Sequence, residues 1–515
     1  MLSKTSTFLT LLLAAVAPVM AACTMDGDDE ASPFDEEDNE DSLGLRGDEG
    51  GKADGEGHYR SGCPGDEIRA GRWAVRGDIV TPTSIIRKGI LVINGEKIER
   101  IESATWVSPT PITIVDTGNS LVFPGLIDGH SHVEYNHIPL ADLGKRYTNR
   151  DQWPNASLYK TLVKDPKNAV TAAGLKCEAL RWGEARALVG GTTAIQGTPE
   201  TSCIRPLVRN LEMVNFCQDK VRQNVMSAID FDRGISGKPS FADSVKAGVK
   251  DGSLDAFVVH IGEGIDEEIR AEWGYLKDMG LDLPQAVMIH TAAFTPADYQ
   301  EVGEVGAKIV WSPLSNLLLY GGTANIPAAM DAGVLVSLGA DWAPSGSANL
   351  LGELKVAARV NKKLWGSRIT NRQLVDMVTI NPAKAYGLDE FVGSLEPGKA
   401  ADLLVIRKVS GKETYKTLVE ARPQDVMLVT ISGDPLFGTA DLMTKAGKGG
   451  DFETVDACGE PRAIDITVSS GDVSKGTETV DYTRSKLIAV NPKLTPIIDC
   501  TDDEATKAYA GTPVQ

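Results

Sequence analysis

Between Leu126 and Asp341 short apolar stretches of strand length alternate with longer stretches of helical character, and no other feature restricts the fold as much. The candidate strands are Thr192 to Gln196, Leu207 to Glu212, Asn224 to Asp230, Phe257 to His260, Ala286 to His290, Lys308 to Trp311 and Val334 to Asp341. The run Gly125-Leu126-Ile127-Asp128 opens the series and brings it to eight. Eight such strands alternating with helices over roughly 250 residues are the pattern of an α/β chain built as a (β/α)8 TIM barrel. In that architecture the chemistry collects at the C-terminal ends of the strands.

Histidine is scarce, with six in 515 residues, and four of the six fall at such ends. His130 and His132 close the first strand two residues apart, which turns both imidazoles to one side. Two neutral imidazoles on one face are half a metal site. His260 and His290 close two further strands, a convergence that packing alone does not require.

The barrel, expected over 123–392, is flanked by strand-rich stretches on both sides. In 58–122 the run Gly89 to Ile98 reads as a hairpin turning at Asn94-Gly95, and Ile112 to Asp116 and Leu121 to Phe123 continue it. Strand material returns in 393–460, so one β-sandwich domain assembled from both ends of the chain is expected. A long loop, 133–165, follows His132. Its Tyr135, Asn136 and Trp153 lie over the expected site, and Asn316 follows the seventh strand; Asn136, Trp153 and Asn316 are candidate substrate contacts. The extension 461–515 carries no readable site.

The net charge of −19 argues against nucleic acid as a partner. Most of it sits in 24–57, where 14 acidic residues face two basic ones. That segment is too polar to fold and reads, from Cys23 to Gly57, as a solvated tether. Before it, in 1–22, Lys4, the apolar run Phe8 to Val16 and small residues form an export signal. Met20-Ala21-Ala22-Cys23 resembles the lipobox of bacterial lipoproteins, which implies lipidation of Cys23, a membrane contact through that anchor and a periplasmic or cell-surface location. Cleavage after Ala21 or Ala22 is the alternative. Six of the seven cysteines remain after Cys23, an even number that suits disulfides. Cys203 with Cys217, and Cys63 with Cys458 or Cys500, are the pairs considered, and Cys177 is a candidate buried thiol.

Three stretches carry a family resemblance: Phe123-Pro124-Gly125-Leu126-Ile127-Asp128-Gly129-His130-Ser131-His132, Ser337-Leu338-Gly339-Ala340-Asp341, and Gly393-Ser394-Leu395-Glu396-Pro397-Gly398-Lys399-Ala400-Ala401-Asp402. Together they resemble the amidohydrolase superfamily, and most closely its single-metal branch of deaminases and triazine hydrolases. The resemblance implies one divalent metal held by His130, His132, His260 and Asp341. It further implies Glu263 as proton shuttle and His290 as the group that polarises the substrate. A two-metal relative would commonly carry a lysine on the fourth strand, and Asn224 to Asp230 holds none.

The chemistry follows from the donors themselves. Three imidazoles and a carboxylate with one position open describe a catalytic site, for which zinc is the default and iron suits the same ligands. Such a cation activates water. Asp341 and Glu263 can move protons, and His290 can stabilise developing charge. The expected activity is therefore hydrolysis of a non-peptide carbon–nitrogen bond in a small molecule, by deamination or amide cleavage. A dipeptide or carbon–halogen hydrolase on the same centre, or an inactive surface binding protein, are the alternatives. Oligomeric state is not legible.

Overall fold

The computed structural model describes residues 71–197, 207–212, 215–227, 240–467 and 479–501. The expected export signal, the acidic tether, Cys23, Cys63 and Cys203 lie outside them.

The chain opens with β1 (Arg72–Val80), β2 (Ile85–Asn94), β3 (Lys97–Glu102) and β4 (Thr113–Pro124). The β2–β3 hairpin turns at Gly95-Glu96, one residue later than expected, because Asn94 still pairs with Lys97; Gly95 takes φ +58° there. The two strands expected at Ile112 to Asp116 and Leu121 to Phe123 are one, β4. A register shift against β1, between Arg76 and Asp78, absorbs the stretch between the two expected strands. Because β4 is long enough to pair parallel with β1 and antiparallel with β13 (Leu403–Arg407), it joins both ends of the chain. The expected sandwich is hydrogen-bonded as one nine-stranded sheet, which β14 (Val426–Ile431), β15 (Asp434–Gly438), β16 (Glu453–Ala457) and β17 (Glu460–Ile464) complete in the order β16-β17-β15-β14-β13-β4-β1-β2-β3. Trp73, Val75, Leu91 and Ile93 share a core with Leu403, Val405, Leu428 and Met443.

Parallel strands follow β4 directly: β5 (Leu126–Asp128), β6 (Thr192–Ile195), β7 (Arg209–Asn210), β8 (Val221–Ser227), β9 (Ala256–Ile261), β10 (Ala286–His290), β11 (Lys308–Trp311) and β12 (Leu335–Leu338). They form a three-stranded sheet β5-β6-β7 and a five-stranded sheet β12-β11-β10-β9-β8. Backbone bonds from Gly129 N to Leu338 O (3.0 Å) and from Asp341 N to His130 O (2.9 Å) join the two sheets between β5 and β12. Gly339 permits this approach, since a Cβ there would lie 2.8 Å from the backbone of His130. β9, β10 and β11 run as largely continuous buried apolar residues, the signature of strands covered on both faces.

Local departures have local causes. β8 starts three residues before the expected Asn224, because pairing with β9 begins at Val221. β7 is only two residues long, inside the expected Leu207 to Glu212, and its Arg209 meets Asp402, the residue before β13 (3.0 Å). The loop expected to run to Asp165 is helical from Ser157, where Tyr159, Val163 and Val170 recur at helical spacing and bury one face.

The cysteines correct the expectation. Cys458 pairs with Cys500, which removes both as partners for Cys63. Cys177 is disulfide-bonded, not a buried thiol, and so is Cys217. No helix among the described residues is long and apolar enough to cross a membrane.

Candidate active site

The four strand-end histidines and Asp341 converge at one end of the parallel strands. His130 and His132 extend β5, His260 lies near the end of β9, His290 ends β10, and Asp341 follows β12. His290 and Asp341 both take positive φ, +74° and +61°, a conformation costly for residues with a Cβ and concentrated at functional sites. That turn aims each side chain across the strand ends. The rings of His130 lie 4.7 Å from those of both His132 and His260, and Asp341 Oδ1 lies 3.6 Å from His130 Nε2 and 3.7 Å from His132 Nε2. Ligand atoms of His130, His132 and His260, and again of His130, His290 and Asp341, fall within 4.8 Å of one another.

The second layer fixes the direction of the ligands. His130 Nδ1 sits 2.7 Å from Gln196 Oε1, while the Gln196 amide nitrogen donates to Glu212 (2.6 Å), which leaves its oxygen for the ring. His130 therefore carries its proton on Nδ1 and turns the Nε2 lone pair inward, where that buried atom has no hydrogen-bond partner. The Asp128 carboxylate accepts from the backbone N–H of Ala340 (3.0 Å) and His130 (3.3 Å), tying β5 to the approach of Asp341.

Burial drives the electrostatics in opposite directions for acids and bases. It holds His130 down at about 4, and His132, His260 and His290 well below the usual imidazole range, so all four are neutral and can ligate. It pushes Asp341 up to about 7. A divalent cation among these atoms would take the imidazole lone pairs and relieve the penalty on the carboxylate. The donor set, the orphaned Nε2 and the neutral rings thus fit one metal ion.

Glu263 and His290 sit beside this cluster. Glu263 Oε1 accepts from Tyr320 OH (2.6 Å), and Oε2 has no hydrogen-bond partner and lies 3.7 Å from His290 Nε2. Burial raises the Glu263 carboxyl to about 8, with Asp341 and Glu272 adding to it and Arg150 and Tyr320 opposing. Asn316 Nδ2 lies 3.1 Å from His290 Nδ1; as the donor it leaves the His290 proton on Nε2, facing the site.

The loop after His132 closes over this end. Tyr147 N bonds Leu319 O (2.7 Å), Arg150 N bonds Glu263 O (3.1 Å), and the Arg150 guanidinium pairs with buried Glu272. Trp153 Nε1 donates to Tyr320 OH (2.9 Å), and its ring packs 5.6 Å from that of Trp342, which also faces Tyr135 and His132. Of the candidate substrate contacts, Trp153 is part of this aromatic wall. Asn316 is engaged with His290, and Asn136 holds Ser131 Oγ (3.3 Å) and Ala343 N (2.8 Å). His137 turns away toward Asn491 (3.2 Å).

Sequence reasoning missed Gln196, Asp128, Glu212, Tyr320 and Trp342. Gln196 had a signal, a polar residue directly after a buried strand in the same position as the histidines. Tyr320 had none, because only folding brings it to Glu263.

Residues 252–436 match the model of the amidohydrolase family. The chain is 24% identical over 426 residues to a 5-methylthioadenosine/S-adenosylhomocysteine deaminase of Moorella thermoacetica, covering 73% of this chain and 96% of that one. It is 25% identical over 373 residues to the guanine deaminase of Escherichia coli, covering 64% and 83%. Among solved structures, a triazine hydrolase variant aligns with TM-score 0.56 at 18% identity, covering 71% of this chain and 94% of the other. A zinc-bound adenosine deaminase from Xanthomonas campestris aligns with TM-score 0.55 at 18% identity, covering 73% and 97%.

Proposed function

Since the chain is an amidohydrolase of the deaminase and triazine-hydrolase kind, a hydrolase of non-peptide carbon–nitrogen bonds, we propose that it deaminates an amino-substituted heteroaromatic ring at a single zinc centre. The observation that carries this reading is the convergence of four neutral strand-end imidazoles, Asp341 and Glu263 on one buried point. The two parallel sheets are taken as one (β/α)8 barrel, a reading supported by their junction at β5 and β12 and by the solved relatives.

His130, His132, His260 and Asp341 would hold the ion. Zinc bound there supplies Lewis acidity that makes water a nucleophile near neutral pH. Asp341 can accept a proton from the attacking water. Glu263 holds a proton at Oε2, the atom the protein leaves unpartnered, and can deliver it to the departing nitrogen, which leaves as ammonia. Tyr320 holds the other oxygen and so sets the carboxyl plane. His290 can donate through Nε2–H to charge that develops on the attacked ring. Trp153, Trp342 and Tyr135 exclude water and offer flat faces to a planar substrate.

The curated relatives act, by their names, on guanine and on adenosine derivatives, which makes aminopurines the first compounds to test. We also propose export, with a lipid anchor on Cys23. The disulfides support that reading, because such bonds persist in oxidising compartments.

The test is metal content per chain followed by ammonia release from a panel of aminopurines, pterins, triazines and simple amides. About one zinc per chain and ammonia from an amino-heterocycle are expected. Two metals per chain would overturn the single-metal centre, and cleavage of amides alone would overturn deamination.

A further inference from the structure

The segment 480–500 reaches the loop that follows the candidate metal ligands, and it does so as a strap fixed at both ends. The helix Val480–Val490 begins under the Glu453 carboxylate, which accepts from Val480 N (2.6 Å) and Asp481 N (3.1 Å). At the far end Cys500 is bonded to Cys458 in the turn between β16 and β17. Both anchors therefore lie on the same hairpin of the nine-stranded sheet. Between them Leu487 and Ile498 join the core of the parallel strands, and Trp182 Nε1 donates to Thr495 O (3.1 Å).

The middle of the strap grips the start of the active-site loop. Thr495 Oγ1 donates to Asn136 O (3.0 Å), beside a second bond to that oxygen from Arg186 (2.5 Å). Thr495 N and Asn491 Nδ2 both donate to His137 O (3.2 and 3.3 Å). The backbone of 136–137 is thus held by residues 491 and 495. The Asn136 side chain then reaches in two directions, to Ser131, which stands between the two histidine ligands, and to Ala343, two residues after Asp341. One side chain couples the ends of β5 and β12, and the strap sets where that side chain stands.

We infer that Asn491 and Thr495 are positioning residues of the metal centre, acting through Asn136 to hold the His130–His132 pair and Asp341 at ligating distance. The inference rests on the proposed metal site and adds a support from outside both parallel sheets. Groups that orient ligands typically cost about 10- to 100-fold in metal affinity when removed.

The test uses full-length protein loaded with zinc. Release of zinc to a chromogenic chelator is timed for wild type, Thr495→Val, Asn491→Leu, Thr495→Ser and the double change Cys458→Ser with Cys500→Ser. Amide hydrogen exchange is followed in parallel. Thr495→Val and Asn491→Leu are expected to release zinc about tenfold faster, with faster exchange in 130–137 and unchanged exchange in β9, β10 and β11. Thr495→Ser should restore both. The double cysteine change should act in the same direction, and if it fails to fold the Thr495 series decides. Zinc held as tightly as in wild type overturns the inference, and so does exchange that rises equally in β9, β10 and β11. A wild-type chain that takes up no metal instead overturns the proposed centre, and this inference with it.

Discussion

Two regions of the molecule bury carboxylates, and they treat them in opposite ways. In the nine-stranded sheet and at its border with the parallel strands, buried acids meet cations. Asp402 pairs with Arg209 (3.0 Å), Asp434 with Lys448 (2.9 Å), and Asp78 with Arg87 (2.8 Å) and Lys408 (2.6 Å). At the strand ends around His130, Glu272 pairs with Arg150, but the buried Asp128, Asp341, Glu263 and Glu353 and the half-buried Glu212 meet backbone N–H groups, hydroxyls and amides, with no hydrogen bond to Lys or Arg among the described residues. Asp78 shows the contrast in its ionisation. Lys408 and Arg87 hold Asp78 below the usual range against its burial, whereas burial carries the second group up to about 7 or 8. Paired acids fasten one surface to another. Unpaired ones stay protonated or await a cation that is not a side chain.

The largest expected effect tests that cation directly. His260→Ala should abolish metal retention and lower kcat/KM by several orders of magnitude, with elemental analysis and ammonia release as the measurements; a variant that keeps its metal would break the contrast. Glu263→Gln separates proton transfer from metal binding. It should keep one metal per chain and lose about 10²- to 10⁴-fold in kcat. The paired region should respond in stability instead. Arg209→Met strands Asp402 and is expected to cost about 3–5 kcal/mol in urea unfolding while metal content stays at wild type.

Tyr320→Phe sharpens the reading of Glu263. One hydrogen bond to a neutral carboxyl is worth about 0.5–1.5 kcal/mol, so kcat should fall about 2- to 10-fold with KM little changed. The smallest effect is a slope. Burial raises the Glu353 carboxyl from 4.5 to about 8, so the folded chain keeps a proton that the unfolded chain releases between those values. Its contribution to stability is complete below the unfolded value and is lost as pH rises through the folded one. The urea midpoint of metal-free protein should fall less from pH 5 to pH 8 in Glu353→Gln than in wild type. Equal slopes would mean that Glu353 is not held neutral.

Legibility differed by how local the signal was. The continuous apolar runs that became β9, β10 and β11 were read almost to the residue, because a strand covered on both faces leaves no other pattern. The histidines were found for a related reason, being polar residues at the ends of those runs. β7 was shorter than expected and β8 was displaced, since pairing with β9 is not written in the local sequence. The disulfide between Cys458 and Cys500 was missed because the anchoring hairpin exists only in the folded sheet.

By itself the sequence determined the alternation of strands and helices, the donor types at the strand ends and the likeness to a metal-dependent hydrolase. All of these are properties of short stretches, set by burial pattern and side-chain chemistry. Tertiary structure alone decided which nitrogen carries the proton in His130, through Gln196, and in His290, through Asn316. It also decided that Tyr320 meets Glu263 and that Thr495 holds Asn136. Those contacts join residues 26 to 359 positions apart. Hydrogen bonds act over about 3 Å, so only the folded backbone selects which distant groups can form them.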